Sequence, residues 1–131
     1  MASLSALAEY PERIYNIFHN TEKSDTGAYA VNLYSLGVPY TTYVDDYLPF
    51  KWDGSLMYSM VGADNALWGP ILEKAIAKYV GNYWHMNLGI NTDGVGFLNG
   101  GPNYYLSHGD EVTEEDIETF WKQITYHDSK R

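Results

Sequence analysis

The stretch Leu67 to Tyr83, LWGPILEKAIAKYVGNY, decides the fold of this chain. Its large apolar side chains recur at helical spacing, and at about 100° per residue they cover one broad arc. These side chains are Leu67, Trp68, Ile71, Leu72, Ala75, Ile76, Tyr79 and Val80. Glu73, Lys74, Ala77 and Lys78 fall on the opposite arc. The pattern therefore predicts an amphipathic helix with a wide buried face.

The residues around this helix predict where it begins and ends. Asp64 or Asn65 can cap its start, since short polar side chains accept hydrogen bonds from the first free amides. Pro70 is compatible with a helix only near the first turn. Gly81 suits the left-handed conformation that ends many helices. We expect the rest of the chain to supply the surface that this helix buries.

Composition restricts the class of protein. The chain has 131 residues, 45% hydrophobic and 16% aromatic, which predicts one domain with a real core. The net charge of −9 argues against a nucleic-acid partner. There is no cysteine, hence no disulfide, no thiolate metal site and no thiol nucleophile in these residues. No apolar run approaches the roughly 18 residues of a membrane span, and no leader opens the chain. We therefore expect a soluble, intracellular protein, most simply of the cytoplasm.

The first half of the chain predicts two short helical pieces and a hairpin. Residues 2–19 carry an apolar stripe that Pro11 interrupts. Residues 28–46 alternate apolar and polar side chains on both sides of a turn at residues 35–37. Pro39 indicates an edge position, because proline cannot donate a ladder hydrogen bond.

The second half predicts a third strand, a loop and another helix. Residues 56–61 have the composition of a short strand. Residues 82–103 are rich in glycine, and we interpret them as a long ordered loop that packs on the central helix. Residues 113–127 form a helix with apolar side chains at i, i+3, i+4 and i+7. Thr113 and Asp116 fit a capping box at its start. The fold class is α+β.

No motif for metal binding or phosphate binding stands out. The four histidines lie in different elements without HExxH spacing. They are His19, His85, His108 and His127. Residues 94–100 do not have the GxGxxG spacing of a phosphate-binding loop. The acids near the last helix lack EF-hand spacing and are interpreted as a solvated helix start. They are Asp110, Glu111, Glu114, Glu115 and Asp116.

The sequence evidence for other kinds of catalytic site is equally weak. Asp45 and Asp46 are neighbours on a strand and point to opposite faces, so one of them is expected to bond turn amides rather than share a metal. No GxSxG elbow is present. A carboxylate pair for glycoside chemistry stays open, because separation in space cannot be read from spacing in sequence. The residues assign no catalytic, cofactor-binding or metal-ligating side chain.

Several motifs in order resemble the calpain-type cysteine protease core. VDDYLP at residues 44–49, DGSL at 53–56 and LWGPILEKAIAK at 67–78 match the family's VDD-x-LP, DG-x-L and FW-xx-LLEKAYAK. Gly100-Gly101 stands where the family has the TGG that closes its first catalytic subdomain. The opening ASLSALAE resembles the helix that follows the family's GDCW nucleophile motif.

The resemblance implies a partial papain-like cysteine proteinase fold, the α-rich first half with a small antiparallel sheet. Residues 1–101 then correspond to the first catalytic subdomain without its cysteine segment. Residues 102–131 begin the second subdomain or form a C-terminal helix. The family's catalytic cysteine would lie about three residues before Met1, and none of the histidines stands in its GHAY context. This chain alone is expected to be inactive.

Cofactor and partner expectations also follow from the resemblance. The resemblance implies that calcium is a possible cofactor, because the family is calcium-dependent. Its glutamate ligand before FW is replaced by Ala66, so no cofactor is assigned to this chain. The chain is interpreted as a fragment of a calpain-like endopeptidase or, alternatively, as a non-catalytic structural or binding subunit of a larger intracellular assembly. A calcium-responsive regulator is a third class. In either main case half a papain fold exposes an apolar face, so we expect a protein partner or the remaining half of the protease. For the binding-subunit alternative, the expected interface lies around Leu4, Leu7 and the glycine-rich loop.

Overall fold

The computed structural model describes residues 2–63, 65–86, 91–102 and 111–128, without the side chains of residues 2, 91–93, 127 and 128. Its elements in order are α1 (Ala2–Ala8), α2 (Pro11–Tyr15), β1 (Ala28–Ser35), β2 (Val38–Asp45), α3 (Trp68–Val80), a 3₁₀ turn (Trp84–Met86), α4 (Asn91–Asn99) and α5 (Glu114–Asp128). These confirm a helical domain with a small antiparallel sheet. In the part of the chain described, no helix combines the length and hydropathy that crossing a bilayer requires.

Helix α3 is the predicted central helix. Pro70 lies in its first turn, and Gly81 ends it with a positive φ of 111°. The capping prediction for Asn65 is wrong, because the N-cap residue is Leu67 and no side chain caps the helix. Asn65 is instead part of a tight turn in which its amide donates to Gly62 O at 2.9 Å. The other candidate cap, Asp64, lies outside the described residues.

The buried face of α3 is wider than its apolar arc. Glu73 and Ala77 were expected on the outer face, yet both are buried. The polypeptide between β2 and α3 covers this side of the helix. Gly69 permits the approach, since a Cβ there would lie 3.3 Å from Ser59 Oγ. Segment 46–61 therefore lies over the side of α3 that periodicity alone assigns to solvent.

The hairpin prediction is confirmed. Strands β1 and β2 pair antiparallel from Ala28 opposite Asp45 to Ser35 opposite Val38. Leu36 and Gly37 form the turn with positive φ angles of 50° and 80°, as a two-residue hairpin of this twist requires. The sheet packs its inner face against α3 and α4, and the chain from α2 adds a bridge between Phe18 and Val31.

The N-terminal helices contribute to the core. The two predicted pieces are α1 and α2, and proline opens the second. Leu4 and Leu7 are buried, so the expectation that they form an interface with a partner is wrong. They pack in one cluster with the sheet and α3. The buried side chains of this cluster are Leu4, Leu7, Ile14, Ile17, Val31, Leu33, Val44, Ile71, Leu72, Ala75, Ile76 and Leu98.

The predicted third strand at residues 56–61 does not form. Phe50 and Leu56 make an isolated bridge, and Met57 N donates to Pro49 O at 2.9 Å. The Ser59 amide bonds to a side chain of α3. Because these donors are used locally or by α3, the segment does not join the two-stranded sheet.

Part of the glycine-rich segment is a helix rather than a loop. Helix α4 covers Asn91–Asn99 and buries Leu98. Gly94 allows it to approach α1 closely, because a Cβ there would lie 2.6 Å from Ser3 Oγ. Glycine here supports helix packing, although its low helix propensity predicts a loop.

Helix α5 confirms the predicted C-terminal helix and its capping box. Thr113 N donates to Asp116 Oδ2 at 2.9 Å, and Asp116 N donates to Thr113 Oγ1 at 3.2 Å. On the same helix Ile117, Trp121 and Ile124 are exposed. Their i, i+4 and i+7 spacing makes an apolar stripe that the described residues leave open to solvent.

Gly100 provides the first test. It has a positive φ of 63°, and a Cβ there would overlap the ring of Tyr34. Gly100→Ala should lower the free energy of unfolding by about 2 kcal/mol, through a disfavoured backbone conformation and overpacking. Gly101→Ala is the matched control, because a Cβ there would meet nothing within 4 Å. Urea unfolding of the two variants measures the difference, and equal stabilities would contradict this packing.

Candidate functional site

The motifs that carry the family resemblance meet along α3. Lys74 Nζ donates to the carboxylate of Asp45 and to Tyr47 O, the latter at 2.6 Å. Asp45 Oδ1 also accepts a hydrogen bond from Tyr47 N at 2.9 Å. The bond from Lys74, followed by that from Tyr47, lowers the pKa of the Asp45 carboxyl. The expectation that one of the paired aspartates bonds turn amides is therefore confirmed.

Glu73, beside Lys74 in the same motif, holds the other end of segment 46–61. Its side chain is only 8% exposed, and Oε2 accepts a hydrogen bond from Ser59 N at 2.7 Å. Tyr58, next in the segment, stacks on Tyr83 with ring centroids 4.3 Å apart. Burial, together with the charge of Glu73, raises the pKa of Tyr83 to about 12. We call the contacts of Asp45, Tyr47, Ser59, Glu73 and Lys74 the α3 cluster.

A second lysine of α3 reaches the sheet. Lys78 Nζ donates to Tyr43 O at 2.7 Å, one helical turn beyond Lys74. Tyr79 OH donates to Ser35 Oγ at 2.9 Å, and its ring packs edge-on against Phe97 with centroids 4.9 Å apart. The polar side chains of α3 thus attach β2, while its aromatic side chain joins β1 to α4.

The described histidines make local structural contacts. His19 Nε2 lies 2.9 Å from Asn32 Oδ1, which also accepts a hydrogen bond from Thr41 Oγ1. His85 Nδ1 lies 3.1 Å from Val80 O, beside the end of α3. His108 and the side chain of His127 lie outside the described residues. Among the residues described, no three histidine, aspartate or glutamate side chains are placed to hold a metal ion.

Comparison with known proteins identifies the family. The sequence profile described as "Calpain family cysteine protease" matches residues 1–131. The chain belongs to the calpain family of cysteine proteases. The calpain-type cysteine protease DEK1 of Zea mays is 30% identical over 127 residues, which cover 94% of this chain and 6% of that protein.

Other calpains are similar at the same level. Calpain-7 of Sus scrofa is 30% identical, with 86% of this chain and 15% of that protein covered. The calpain-2 catalytic subunit of Homo sapiens is 30% identical over 101 residues, with 77% of this chain and 14% of that protein covered. The calpain-family chain therefore spans at most 15% of the length of these relatives.

The family's thiol chemistry has no counterpart in these 131 residues. A cysteine protease needs a thiolate and an imidazole within hydrogen-bond reach of each other. This calpain-family sequence contains no cysteine. The carboxylates and the ammonium group of the α3 cluster bond to each other and to backbone.

At the calcium-ligand position of the calpain family this chain has Ala66. Its methyl side chain supplies no oxygen ligand, and calcium is bound by oxygen ligands. The neighbouring Asp64 lies outside the described residues.

Sequence reasoning missed a groove between α2 and the start of α3. It has a volume of about 600 Å³. Its lining is largely apolar and aromatic and also includes Glu22 and Lys23. We call it the α2–α3 groove. Its lining includes Ile14, Tyr15, Phe18, Tyr29, Leu67 and Trp68. The sequence contains only an indirect signal for this groove. Trp68 and Phe18 lie in apolar stripes that predict burial, but only the fold shows which residues they contact.

Glu73 tests the α3 cluster. Glu73→Ala should lower the free energy of unfolding by about 2 kcal/mol, because the Ser59 amide loses its acceptor in a buried place. Glu73→Gln keeps a carbonyl acceptor of the same size and should lose less than half as much. Urea unfolding gives both values, with the exposed Glu118→Ala as a control. A Gln variant as unstable as the Ala variant would mean that charge, not the hydrogen bond, matters.

The raised pKa of Tyr83 predicts that the free energy of unfolding depends on pH. Its pKa is about 12 in the folded chain against an ordinary value of 10.0, so the folded state retains the phenol proton more strongly. The stability from this difference is complete below pH 10 and is lost as pH rises from 10 towards 12, where the unfolded state releases the proton first. Tyr83→Phe should unfold with a smaller loss of stability across that window. Parallel slopes of wild type and variant in urea unfolding would refute the assignment.

Proposed function

We propose that this chain is the scaffold part of a calpain-type cysteine endopeptidase core with a papain-like fold. In this proposal residues 1–101 are the first catalytic subdomain without its cysteine segment, and residues 102–131 begin the second. The observation that carries the proposal is the family match over residues 1–131 of a sequence with no cysteine. In this proposal the catalytic cysteine, histidine and asparagine come from polypeptide outside these 131 residues.

The geometry of the α3 cluster supports a scaffold role. A thiolate–imidazole pair works only when each partner is held in place by its own supporting residues. Here a buried helix, a hairpin and segment 46–61 are joined by hydrogen bonds that Glu73 accepts and that Lys74 and Lys78 donate. Such a unit provides one fixed wall against which a second subdomain can position its histidine.

Helix α5 supports the proposed start of a second subdomain. Its stripe of Ile117, Trp121 and Ile124 is exposed in the described chain. An amphipathic helix gains most of its stability by burying such a stripe. The remainder of a second subdomain would cover it.

The same stripe favours the second candidate, a non-catalytic structural or binding subunit. In that case a different protein covers Ile117, Trp121 and Ile124, and no thiol chemistry accompanies the chain. The two candidates differ in whether the native protein contains a catalytic cysteine, either in the same polypeptide or in one bound to it. We propose in both cases that calcium does not bind at Ala66.

Activity-based labelling tests the proposed function. The 131-residue chain should not be labelled by a thiol-alkylating epoxide probe and should not cleave a fluorogenic casein substrate, with or without calcium, because it has no thiol. The native protein, isolated with an antibody against this chain, should be labelled, and its intact mass should exceed 14.9 kDa.

The outcomes separate the two candidates. Labelling of the native protein at a cysteine in the same polypeptide, or in a polypeptide that co-purifies with it, supports the scaffold of an endopeptidase. A native protein that carries no reactive cysteine and no labelled companion refutes it and favours the binding subunit. Cleavage by the 131-residue chain itself would refute both, and a calcium-dependent rise in its melting temperature would refute the calcium proposal.

A further inference from the structure

The end of α4 carries an asparagine followed by a glycine. Among the asparagines of the sequence, only Asn99 precedes a glycine. Asn99 is the last residue of α4 and is exposed. A glycine after asparagine has no side chain to shield its backbone nitrogen, and it allows backbone conformations that other residues disfavour. The carboxamide of Asn99 therefore lies in water, next to an unhindered backbone nitrogen.

The packing of the hairpin requires glycine at position 100. Gly100 has a positive φ of 63°, and a Cβ there would overlap the ring of Tyr34. Residues with a Cβ disfavour this left-handed backbone conformation. The next residue is under no such constraint, because Gly101 is exposed and a Cβ there would meet nothing within 4 Å. The contact with Tyr34 thus keeps glycine beside Asn99.

One backbone hydrogen bond protects the pair in the folded chain. Gly100 N donates to Gly96 O at 3.1 Å, at the C-terminal end of α4. While this bond is formed, Gly100 N is directed at Gly96 O and cannot approach Asn99 Cγ. Hydrogen bonds at the ends of helices open far more often than a whole domain unfolds. Opening of this single turn is therefore sufficient to let the nitrogen and the carboxamide carbon meet.

We propose that Asn99 is a site of self-modification, which converts to aspartate and isoaspartate at a rate set by opening of the last turn of α4. In the open turn Gly100 N gives its proton to water and attacks Asn99 Cγ. A carbon–nitrogen bond forms, and the side-chain nitrogen takes up a proton and leaves as ammonia. Water then adds to either carbonyl of the resulting succinimide and opens the ring. The reaction consumes one water, releases one ammonia and needs no other reactant.

Both products weaken the end of α4. The new carboxylate lies at the C-terminus of the helix, where a negative charge is unfavourable. Isoaspartate also adds a methylene to the backbone, so Gly100 can no longer keep both its bond to Gly96 O and its place against Tyr34. Because α4 packs on β1, the modification loosens a contact of the core. This chemistry belongs to the chain itself and goes beyond the proposed scaffold role.

Comparison of the folded chain with a short peptide tests the site. After incubation at neutral pH, peptide mapping by mass spectrometry should show Asn99 as the asparagine that reacts fastest, with more isoaspartate than aspartate. A synthetic peptide of residues 94–105 gives the rate without the fold. The 131-residue protein should react about tenfold more slowly than the peptide, because one terminal hydrogen bond must open first. A requirement for global unfolding would instead slow the reaction more than about a thousandfold.

Matched tyrosine variants test the control by the fold. Tyr34→Ala removes the ring that lies against Gly100, so the turn should open more often and the reaction should be about three- to tenfold faster. Tyr34→Leu keeps an apolar side chain there and should give an intermediate rate. Tyr43→Ala is the matched control, because Tyr43 is an exposed tyrosine of the same hairpin, and its rate should equal that of wild type. Urea unfolding confirms that each variant is folded.

Ageing of the protein tests the consequence. Wild type incubated until about half of Asn99 has reacted should unfold in urea with an additional, less stable population, whereas Asn99→Gln should keep a single transition. The proposal is overturned if the folded chain reacts as fast as the peptide or more than about a thousandfold more slowly. It is also overturned if another asparagine reacts first, or if Tyr34→Ala and Tyr43→Ala react at the same rate.

Discussion

The burial of α3 on almost all sides is the constraint on which the rest of the structure depends. Its apolar arc packs on the sheet and α4, and segment 46–61 lies over Glu73 on its other side. The buried Glu73 accepts a hydrogen bond from Ser59 N, as a buried carboxylate requires. Lys74 and Lys78 donate to the backbone carbonyls of Tyr47 and Tyr43. One helix thereby organises both strands and the connection that follows them.

The residues of α3 that resemble the calpain core make contacts that hold the domain together. The carboxylates and lysines that resemble the calpain core are used to hold backbone in place. Holding the backbone in place does not require a nucleophilic cysteine. A chain without cysteine can therefore belong to a family of cysteine proteases.

Among the described residues, two exposed apolar surfaces differ in how they are held. The α5 stripe belongs to a helix whose cap and periodicity are complete but whose apolar face is left open by the described residues. Trp52 lies instead in a turn whose segment is attached to α3 by hydrogen bonds on both sides of the turn.

The sequence by itself determined α3, the hairpin, α5 with its capping box, and the family. These features depend on residues a few positions apart, such as Thr113 with Asp116 or Leu36 with Gly37. Only the tertiary structure decided that residues 56–61 are not a strand, that 91–99 are a helix, and that Leu4, Leu7 and Glu73 are buried. These outcomes depend on contacts between distant segments, such as Gly94 on Ser3 and Ser59 on Glu73, which no local pattern encodes.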